Sequence, residues 1–309
     1  MKKSAKIGLA AFAGSAAGSA LLIRELYRYS FTREGSPFID TLLKLKGEPS
    51  GHDDAYYEYR NSLKEAALAR PQIRMTMPSE RGQQLAGFYY PSESGDGRHI
   101  AFVVHGYHSD HAETVGMFLD MYLRNGFDVF APDNTAHGES EGRAIGFDVF
   151  ESQDALQWIE YLKARKGSDV RIILHGLSLG GATVMKMSDQ VGPEVRFIVE
   201  DSGYTEAQSL LKRSPCHELL REIHRQLSGC DVRESDVRPH LERAFVPILF
   251  VQGTEDKLVP AENGPYLFDF YQGPKDCLFV PGARHIEAIY VDPEGYEKKI
   301  KEMIEKYMK

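Results

Sequence analysis

The sequence has little cysteine, no excess of positive charge and no block of basic residues. Its 309 residues include three cysteines, Cys216, Cys230 and Cys277, which is too few for a disulfide framework. The spacing leaves a Cys216–Cys230 pair open, but three unrelated thiols is the preferred interpretation. With 37 basic and 45 acidic residues the net charge is −8, so nucleic acid is not an expected partner. An apolar fraction of 42% instead favours an ordinary globular protein.

Charge is also missing from one stretch near the start of the chain. The 17 residues from Ile7 to Ile23 carry no charge, and three lysines precede them. This order is typical of an export signal or of a short membrane anchor. We therefore predict a membrane anchor or signal segment over residues 1–34. The remainder would lie at the cell membrane on its extracytoplasmic side, or be exported, and a cytoplasmic location is the alternative.

The rest of the sequence alternates between strand and helix patterns. Residues 35–71 have helical spacing and predict a helical preface to the main domain. From residue 72 onward, short apolar runs alternate with amphipathic segments, which indicates an α/β fold with a mostly parallel sheet and helices on both faces. The predicted strands are residues 72–77, 85–90, 99–104, 127–131, 170–175, 195–199, 246–251 and 276–280.

Residues 203–244 interrupt this alternation between two strands. They contain many charged residues and a helical apolar stripe of Leu219, Leu220, Ile223 and Leu227. Such an insertion would lie above the C-terminal edge of the sheet, where α/β active sites form. We predict a small helical cap, and a long crossover helix is the alternative.

Three helix ends carry recognisable signals. Asp148 and Glu151 have the spacing of a capping box. Asp292 followed by Pro293 predicts the start of the last helix. Gly126 is a candidate for a helix C-terminus.

The most informative stretch surrounds Ser178 and reads His175-Gly176-Leu177-Ser178-Leu179-Gly180. An apolar strand precedes it and a helical segment follows it. This is the context of a nucleophile elbow, in which glycines allow the chain to pass close to a serine on a strained turn. The amides at the start of the following helix would face developing negative charge.

A serine nucleophile needs a base and a carboxylate that orients the base. Asp256 and His285 follow two later strands and therefore belong to the same sheet edge as Ser178. Their order, Ser then Asp then His, is that of α/β-hydrolases. Glu255 is the rival to Asp256 for the role of the acid.

Several motifs together resemble the serine α/β-hydrolases over residues 72–309, in the branch of bacterial, often membrane-anchored, esterases and prolyl-oligopeptidase-like enzymes. The resemblance implies Ser178 as nucleophile, His285 as base and Asp256 as orienting acid. It also implies an oxyanion hole at the backbone amides of Tyr107 and Leu179. A serine at this position argues against the dehalogenase and epoxide-hydrolase branches. The motifs are His105-Gly106-Tyr107, residues 133–140, the elbow, Gly253-x-x-Asp256-x-x-Val259-Pro260 and Gly282-x-x-His285.

Other polar residues near these motifs have simpler interpretations. His108, Asp110 and His111 resemble a metal cluster, but solvated loop residues are commoner. His137 is expected to be structural, and His175 is expected to be a strand-end residue rather than a second base. Glu200 and Asp201 end a strand at the active edge, where they would support the fold or touch substrate.

We therefore predict a carboxylesterase that acts through an acyl-enzyme on a small-molecule ester or a short peptide, with no cofactor and no metal. A peptidase or acyltransferase with the same triad is the first alternative. A non-catalytic binding protein on the same fold is the second. The sequence leaves the natural substrate and the oligomeric state open.

Overall fold

Eight strands form one sheet in the computed structural model, which describes residues 16–44, 52–212 and 216–308. The strand order is β1-β2-β4-β3-β5-β6-β7-β8. The pairs β1–β2 and β2–β4 are antiparallel and the other five pairs are parallel, so the predicted mostly parallel sheet is confirmed. The strands are β1 (Ile73–Pro78), β2 (Gln84–Tyr90), β3 (His99–Val104), β4 (Asp128–Pro132), β5 (Arg171–Leu177), β6 (Val195–Asp201), β7 (Ile248–Gly253) and β8 (Lys275–Val280).

Helices cover both faces of the sheet. The helices α5 and α6 pack on one face, and α4 and α12 pack on the other. The described helices are α1 (Ala16–Phe31), α2 (Pro37–Lys44), α3 (Asp54–Ala69), α4 (His111–Arg124), α5 (Val149–Lys166), α6 (Leu179–Lys186), α7 (Ala207–Leu211), α8 (His217–Ser228), α9 (Arg238–Leu241), α10 (Asn263–Phe270), α11 (Ala288–Val291) and α12 (Pro293–Tyr307).

The central strand β3 shows why an unbroken apolar run predicts a strand buried on both faces. Ile100, Phe102 and Val104 enter the core on one side of the sheet, while Ala101 and Val103 enter the core on the other. All five are at most 1% exposed. Each larger side chain buried in this way contributes about 1.5–3 kcal/mol. The carboxyl end of this strand is therefore a rigid base for the loop that follows it.

The stretch predicted as a membrane anchor is partly a helix of the folded domain. Its first part, residues 1–15, lies outside the described residues. From Ala16 onward it forms α1, where Ile23, Leu26 and Tyr27 pack against the core and Phe31 is buried within it. None of the described helices is long and apolar enough to cross a membrane. The predicted location of the chain stays a prediction.

The helical preface contains the two helices α2 and α3, and residues 45–51 between them lie outside the described residues. Asp53 caps α3 by accepting a hydrogen bond from the Tyr56 amide. Buried Tyr56 and Ala67 face the domain, and an ion pair joins Arg60 to Glu113 of α4. The preface is therefore packed on the domain through α4.

The predicted cap, residues 203–244, contains the short helices α7, α8 and α9, and its residues 213–215 lie outside the described residues. On α8, Leu220 is buried, whereas Leu219 and Leu227 of the predicted stripe are 47% and 71% exposed. Phe31 of α1 stacks on the buried ring of His224, with 4.3 Å between ring centroids. The cap and α1 therefore meet through α8.

A group of buried polar side chains lies beneath the cap, and we call Asp148, Glu151, Lys186 and Ser235 the cap-base cluster. The Ser235 hydroxyl donates to Asp148 Oδ2 at 2.5 Å, and Lys186 Nζ lies 3.8 Å from Asp148 Oδ1. Lys186 also donates to the Glu234 carbonyl of the cap. These contacts join the start of α5 and the end of α6 to the cap.

The predicted capping box at Asp148 is wrong in detail. Asp148 has a left-handed backbone, with φ 73°, and its side chain caps no amide of α5. Its carboxylate bonds Ser235 instead. Glu151 does reach back, but it accepts from the amide of Gly146 at 2.8 Å. By contrast, Asp292 caps α12 ahead of Pro293 as predicted, and Gly126 has the positive φ of a helix-ending residue.

Candidate active site

Ser178 lies on a sharp turn between β5 and α6. Its backbone has φ 57° and ψ −114°, which is a strained conformation for a residue with a side chain. A β-carbon at Gly176 would lie 2.0 Å from the Gly180 carbonyl oxygen, and one at Gly180 would lie 2.1 Å from that of Val104. Only glycine fits at either position. The Ser178 amide donates to the Asp201 carbonyl at 2.8 Å, which ties the turn to β6.

The structure brings Ser178, His285 and Asp256 into one chain of hydrogen bonds. His285 Nε2 is 2.9 Å from Ser178 Oγ, and His285 Nδ1 is 2.7 Å from Asp256 Oδ2. Because an ionised carboxylate can only accept, the ring hydrogen lies on Nδ1. The lone pair of Nε2 therefore faces the serine hydroxyl, which is the arrangement that proton removal requires.

Four hydrogen-bond donors hold the carboxyl group of Asp256 in place. Oδ1 accepts from the amides of Leu258 and Val259 at 2.9 and 3.0 Å. Oδ2 accepts from Gln252 Nε2 at 2.8 Å in addition to His285. The neighbouring Glu255 is exposed, so the structure places Asp256 rather than its rival against the histidine.

The loop of Tyr107 and the start of α6 at Leu179 both lie next to Ser178. Leu179 is the first residue of α6, so its amide has no carbonyl partner within the helix. Tyr107 follows Gly106, and a β-carbon at Gly106 would lie 3.4 Å from Ser178 Cβ and 3.9 Å from Oγ. The loop after β3 therefore passes directly beside the serine, as an oxyanion hole requires.

The last turn of α1 holds this loop in place. The Tyr107 hydroxyl donates to the Tyr29 carbonyl at 2.5 Å. The Tyr107 ring stacks on His108 at 4.0 Å, and His108 Nε2 lies 3.0 Å from the Thr32 carbonyl. A segment predicted as an anchor thus forms one wall beside the candidate oxyanion hole.

The three residues that resembled a metal cluster have separate partners. His108 faces Thr32, and Asp110 caps α4 and pairs with Lys64. His111 Nδ1 lies 2.9 Å from Asp133 Oδ1. Across the described ranges, no group of three or more His, Cys, Asp or Glu side chains is arranged to hold a metal ion.

Two other histidines of the motifs are buried and bound to neighbours. His137 Nδ1 lies 3.0 Å from the Thr135 carbonyl, and burial lowers the pKa of His137 well below its usual range. His175 lies between the hydroxyls of Tyr122 and Tyr296, each at 2.9 Å. Burial lowers its pKa to about 3, so His175 stays neutral and bonded away from Ser178.

Glu200 and Asp201 are buried at the end of β6 and accept hydrogen bonds from neighbouring groups. Glu200 accepts from the Gly203 amide. Asp201 accepts from the hydroxyls of Ser202 and Tyr296, each at 2.9 Å. Burial raises the pKa of Asp201 to about 6, and these two hydroxyls oppose the shift. Ser202 and Gln252 carried no signal in the sequence beyond their places at the ends of β6 and β7.

The three cysteines are free thiols, with Cys230 buried and the other two partly exposed. The Cys230 thiol donates to the Gly146 carbonyl at 3.4 Å, and burial raises its pKa. The structure therefore contains no Cys216–Cys230 bond.

The chain resembles known proteins in both sequence and structure. Residues 95–200 match a family model described as serine aminopeptidase, S33. The fold matches the esterase Pf2001 of Pyrococcus furiosus with a TM-score of 0.65 and 20% identity, over 78% of this chain and 95% of that one. The chain has the α/β-hydrolase fold. The matched range holds Ser178 and the loop of Tyr107, whereas Asp256 and His285 come later in the sequence.

Other similar proteins match most of the length of this chain. A carboxyl esterase from Bacillus coagulans matches its fold with a TM-score of 0.62 and 16% identity, over 78% of this chain and all of that one. The protein YqkD of Bacillus subtilis is 19% identical over 84% of this chain and 86% of its own length. Human protein ABHD12B is 28% identical over 68% of this chain and 63% of its own length.

Proposed function

We propose that this hydrolase cleaves carboxylic esters through an acyl-enzyme intermediate on Ser178. The observation that carries the proposal is the unbroken hydrogen-bond chain from Asp256 through His285 to a serine on a strained turn. Two proteins with matching folds are described as esterases, which supports an ester rather than another acyl compound as substrate.

In the first half-reaction, Ser178 Oγ attacks the ester carbonyl carbon while His285 Nε2 takes the hydroxyl proton. The Tyr107 and Leu179 amides donate to the oxyanion that forms. Donors of this kind typically contribute about 10²–10³ in kcat each. The carbon–oxygen bond to the alcohol then breaks, and the proton on Nε2 passes to the leaving alkoxide.

In the second half-reaction, a water molecule attacks the acyl carbon and gives a proton to His285 Nε2. The bond to Ser178 Oγ breaks, the proton returns to Oγ and the carboxylic acid leaves. Asp256 keeps its hydrogen bond to Nδ1 throughout, so that the ring holds its orientation and its transient positive charge is stabilised.

The test is a series of p-nitrophenyl esters from acetate to palmitate. We expect the highest kcat/KM on short acyl chains, because α1 and the loop of Tyr107 close one side of the site. Ser178→Ala is the control, and its kcat should fall by about 10⁴–10⁶. Equal rates for the wild type and Ser178→Ala on every ester would overturn the proposal.

The second candidate is a serine aminopeptidase with the same three residues, because the matching family model carries that description. An aminopeptidase must also bind a free amino terminus. Aminoacyl p-nitroanilides with free and acetylated amines separate the two functions. Turnover of the free amine alone, at rates above those on esters, would favour the peptidase.

A further inference from the structure

The residue after His285 has an unusual backbone. Ile286 has φ 56°, in the left-handed region that a β-branched side chain avoids. Such a residue keeps this conformation only where its surroundings hold it, at a cost of about 1–3 kcal/mol. Whatever holds Ile286 also sets the direction in which His285 points.

Two side chains from distant parts of the chain hold the backbone of Ile286. The Tyr56 hydroxyl of α3 donates to the Ile286 carbonyl at 2.9 Å. The Ile286 amide donates to Ser202 Oγ at 3.3 Å. Tyr56 is fully buried, and burial raises the pKa of its hydroxyl, so the donor keeps its proton at any working pH.

The residues on either side are held by the same N-terminal segment. Arg284 pairs with Asp53 at 2.8 Å. His52 Nδ1 lies 2.8 Å from Glu287 Oε1, and these two side chains are 4% and 1% exposed. Burial lowers the pKa of His52, which keeps its ring neutral near pH 7. Three neighbours of the histidine are thus each bound by residues 52–56.

We propose that His52, Asp53 and Tyr56, which we call the histidine clamp, are positioning residues that keep His285 in reach of Ser178. The clamp rests on the proposed function, since it acts through His285. Without it, Ile286 would relax towards a negative φ and turn the imidazole away from Ser178 Oγ. The helical preface would then contribute to catalysis by keeping His285 in position.

Ring packing allows the hydrogen bond of the clamp to be tested alone. The Tyr56 ring lies 4.5 Å from that of His52 and 5.3 Å from that of Tyr290. A phenylalanine at position 56 keeps these contacts and removes only the hydroxyl. The matched control is Tyr57→Phe, the same change one residue on, at a side chain that is 36% exposed.

The experiment compares Tyr56→Phe with Tyr57→Phe on the full chain. We expect Tyr56→Phe to lower kcat, and the rate at which a fluorophosphonate labels Ser178, by about tenfold, because small displacements of catalytic groups are costly. KM should stay within about twofold, since substrate binding is unchanged. Amide exchange over residues 282–288 should quicken in Tyr56→Phe and not in Tyr57→Phe.

A second pair of variants tests the other arm of the clamp. His52→Gln keeps a donor for Glu287, whereas His52→Leu removes it. We expect His52→Gln to retain most of the labelling rate and His52→Leu to lose it about as far as Tyr56→Phe does. Equal rates in the two variants would contradict the role of this hydrogen bond.

If Tyr56→Phe keeps the kcat, the labelling rate and the amide exchange of the wild type, the proposed role of the clamp is refuted, even if the variant has a lower Tm. A different set of results would refute the proposed function. A wild type that labels at Ser178 but hydrolyses no ester refutes the esterase and leaves the clamp readable from labelling. A wild type that does neither refutes both the esterase and the catalytic role of the clamp, even if exchange over residues 282–288 responds.

Discussion

Two of the sites that bury a carboxyl group in this protein surround it in opposite ways. Asp256 in the candidate active site accepts four hydrogen bonds, from two amides, Gln252 and His285. Asp148 in the cap-base cluster accepts one from Ser235 and has Lys186 at 3.8 Å. Among the described residues, Asp148 Oδ1 and Glu151 Oε2 find no hydrogen-bond partner.

The difference shows that burial alone does not decide the state of an acid. Burial raises the pKa of Asp148 to about 8 despite the attraction of Lys186 and the hydrogen bond of Ser235. It raises the pKa of Glu151 to about 7. The donors around Asp256 suit a carboxylate, whereas the cap-base cluster suits neutral acids. In the proposed mechanism Asp256 needs its charge, whereas Asp148 lies where the cap meets the domain.

The largest expected contrast is in catalysis. Asp256→Asn should lower kcat by about 10³–10⁴, because an amide that donates to His285 Nδ1 stabilises the wrong tautomer. The matched change Asp148→Asn should leave kcat within about threefold. Initial rates on one p-nitrophenyl ester measure both. A similar loss of kcat in the two variants would contradict a catalytic role that Asp256 has and Asp148 lacks.

The next contrast is in stability. Between about pH 4 and pH 8 the unfolded chain has released the Asp148 proton while the folded chain keeps it, so the contribution of Asp148 to the free energy of unfolding falls as pH rises through this window. Asp148→Asn mimics the neutral acid and removes that slope. It should match the wild type near pH 4 and be about 1–3 kcal/mol more stable at pH 9.

Denaturant unfolding across this pH range measures the difference. A stability difference between Asp148→Asn and the wild type that does not grow from pH 4 to pH 9, or an Asp148→Asn variant that is less stable at pH 9, would contradict this view of the cap-base cluster.

A smaller effect is expected from removing one donor at each site. Gln252→Leu leaves Oδ2 of Asp256 with only His285 and should lower kcat by about tenfold, or about 1.4 kcal/mol. Ser235→Ala removes the hydroxyl from Asp148 and should leave kcat unchanged while shifting Tm. Rates and melting curves on the same preparations separate the two, and a loss of kcat in Ser235→Ala would count against the assignment.

The smallest effect is expected at Glu151. Its Oε1 accepts from the Gly146 amide, a bond that Glu151→Gln can keep, so the change should stabilise the fold by about 1 kcal/mol above pH 7 and by nothing near pH 4. The sign follows because the raised pKa of Glu151 costs stability as pH rises. Destabilisation at both pH values would show that the carboxyl is charged in the fold.

The strands and the loops that end them could be predicted from the sequence because their signals are local. Alternating burial on β3 follows from an apolar run, and the order of Ser178, Asp256 and His285 places all three on one sheet edge. The structure brings these side chains into contact, and their roles stay predictions that the proposed experiments test.

The contacts that could not be predicted from the sequence join segments that are far apart along the chain. Tyr56 and Ile286 are 230 positions apart, and no periodic pattern records such a pairing. The uncharged stretch from Ile7 to Ile23 is ambiguous for a different reason, and the membrane anchor or signal segment stays a prediction. Apolar residues that pack on a protein core have the same hydropathy as those that face lipid, so Leu26 and Phe31 of α1 gave no sign that they pack against the core.

The long reach of the clamp also bears on how the molecule is made. A ribosome adds about 5–20 residues per second, so Tyr56 emerges roughly 10–45 s before the backbone that it will hold. Contacts of such separation form late, after the local helices and the sheet. We expect refolding chains to recover the fluorescence of Trp158 before they recover a reactive serine. A nascent chain would then acquire a reactive serine only after the segment around Ile286 has been synthesised.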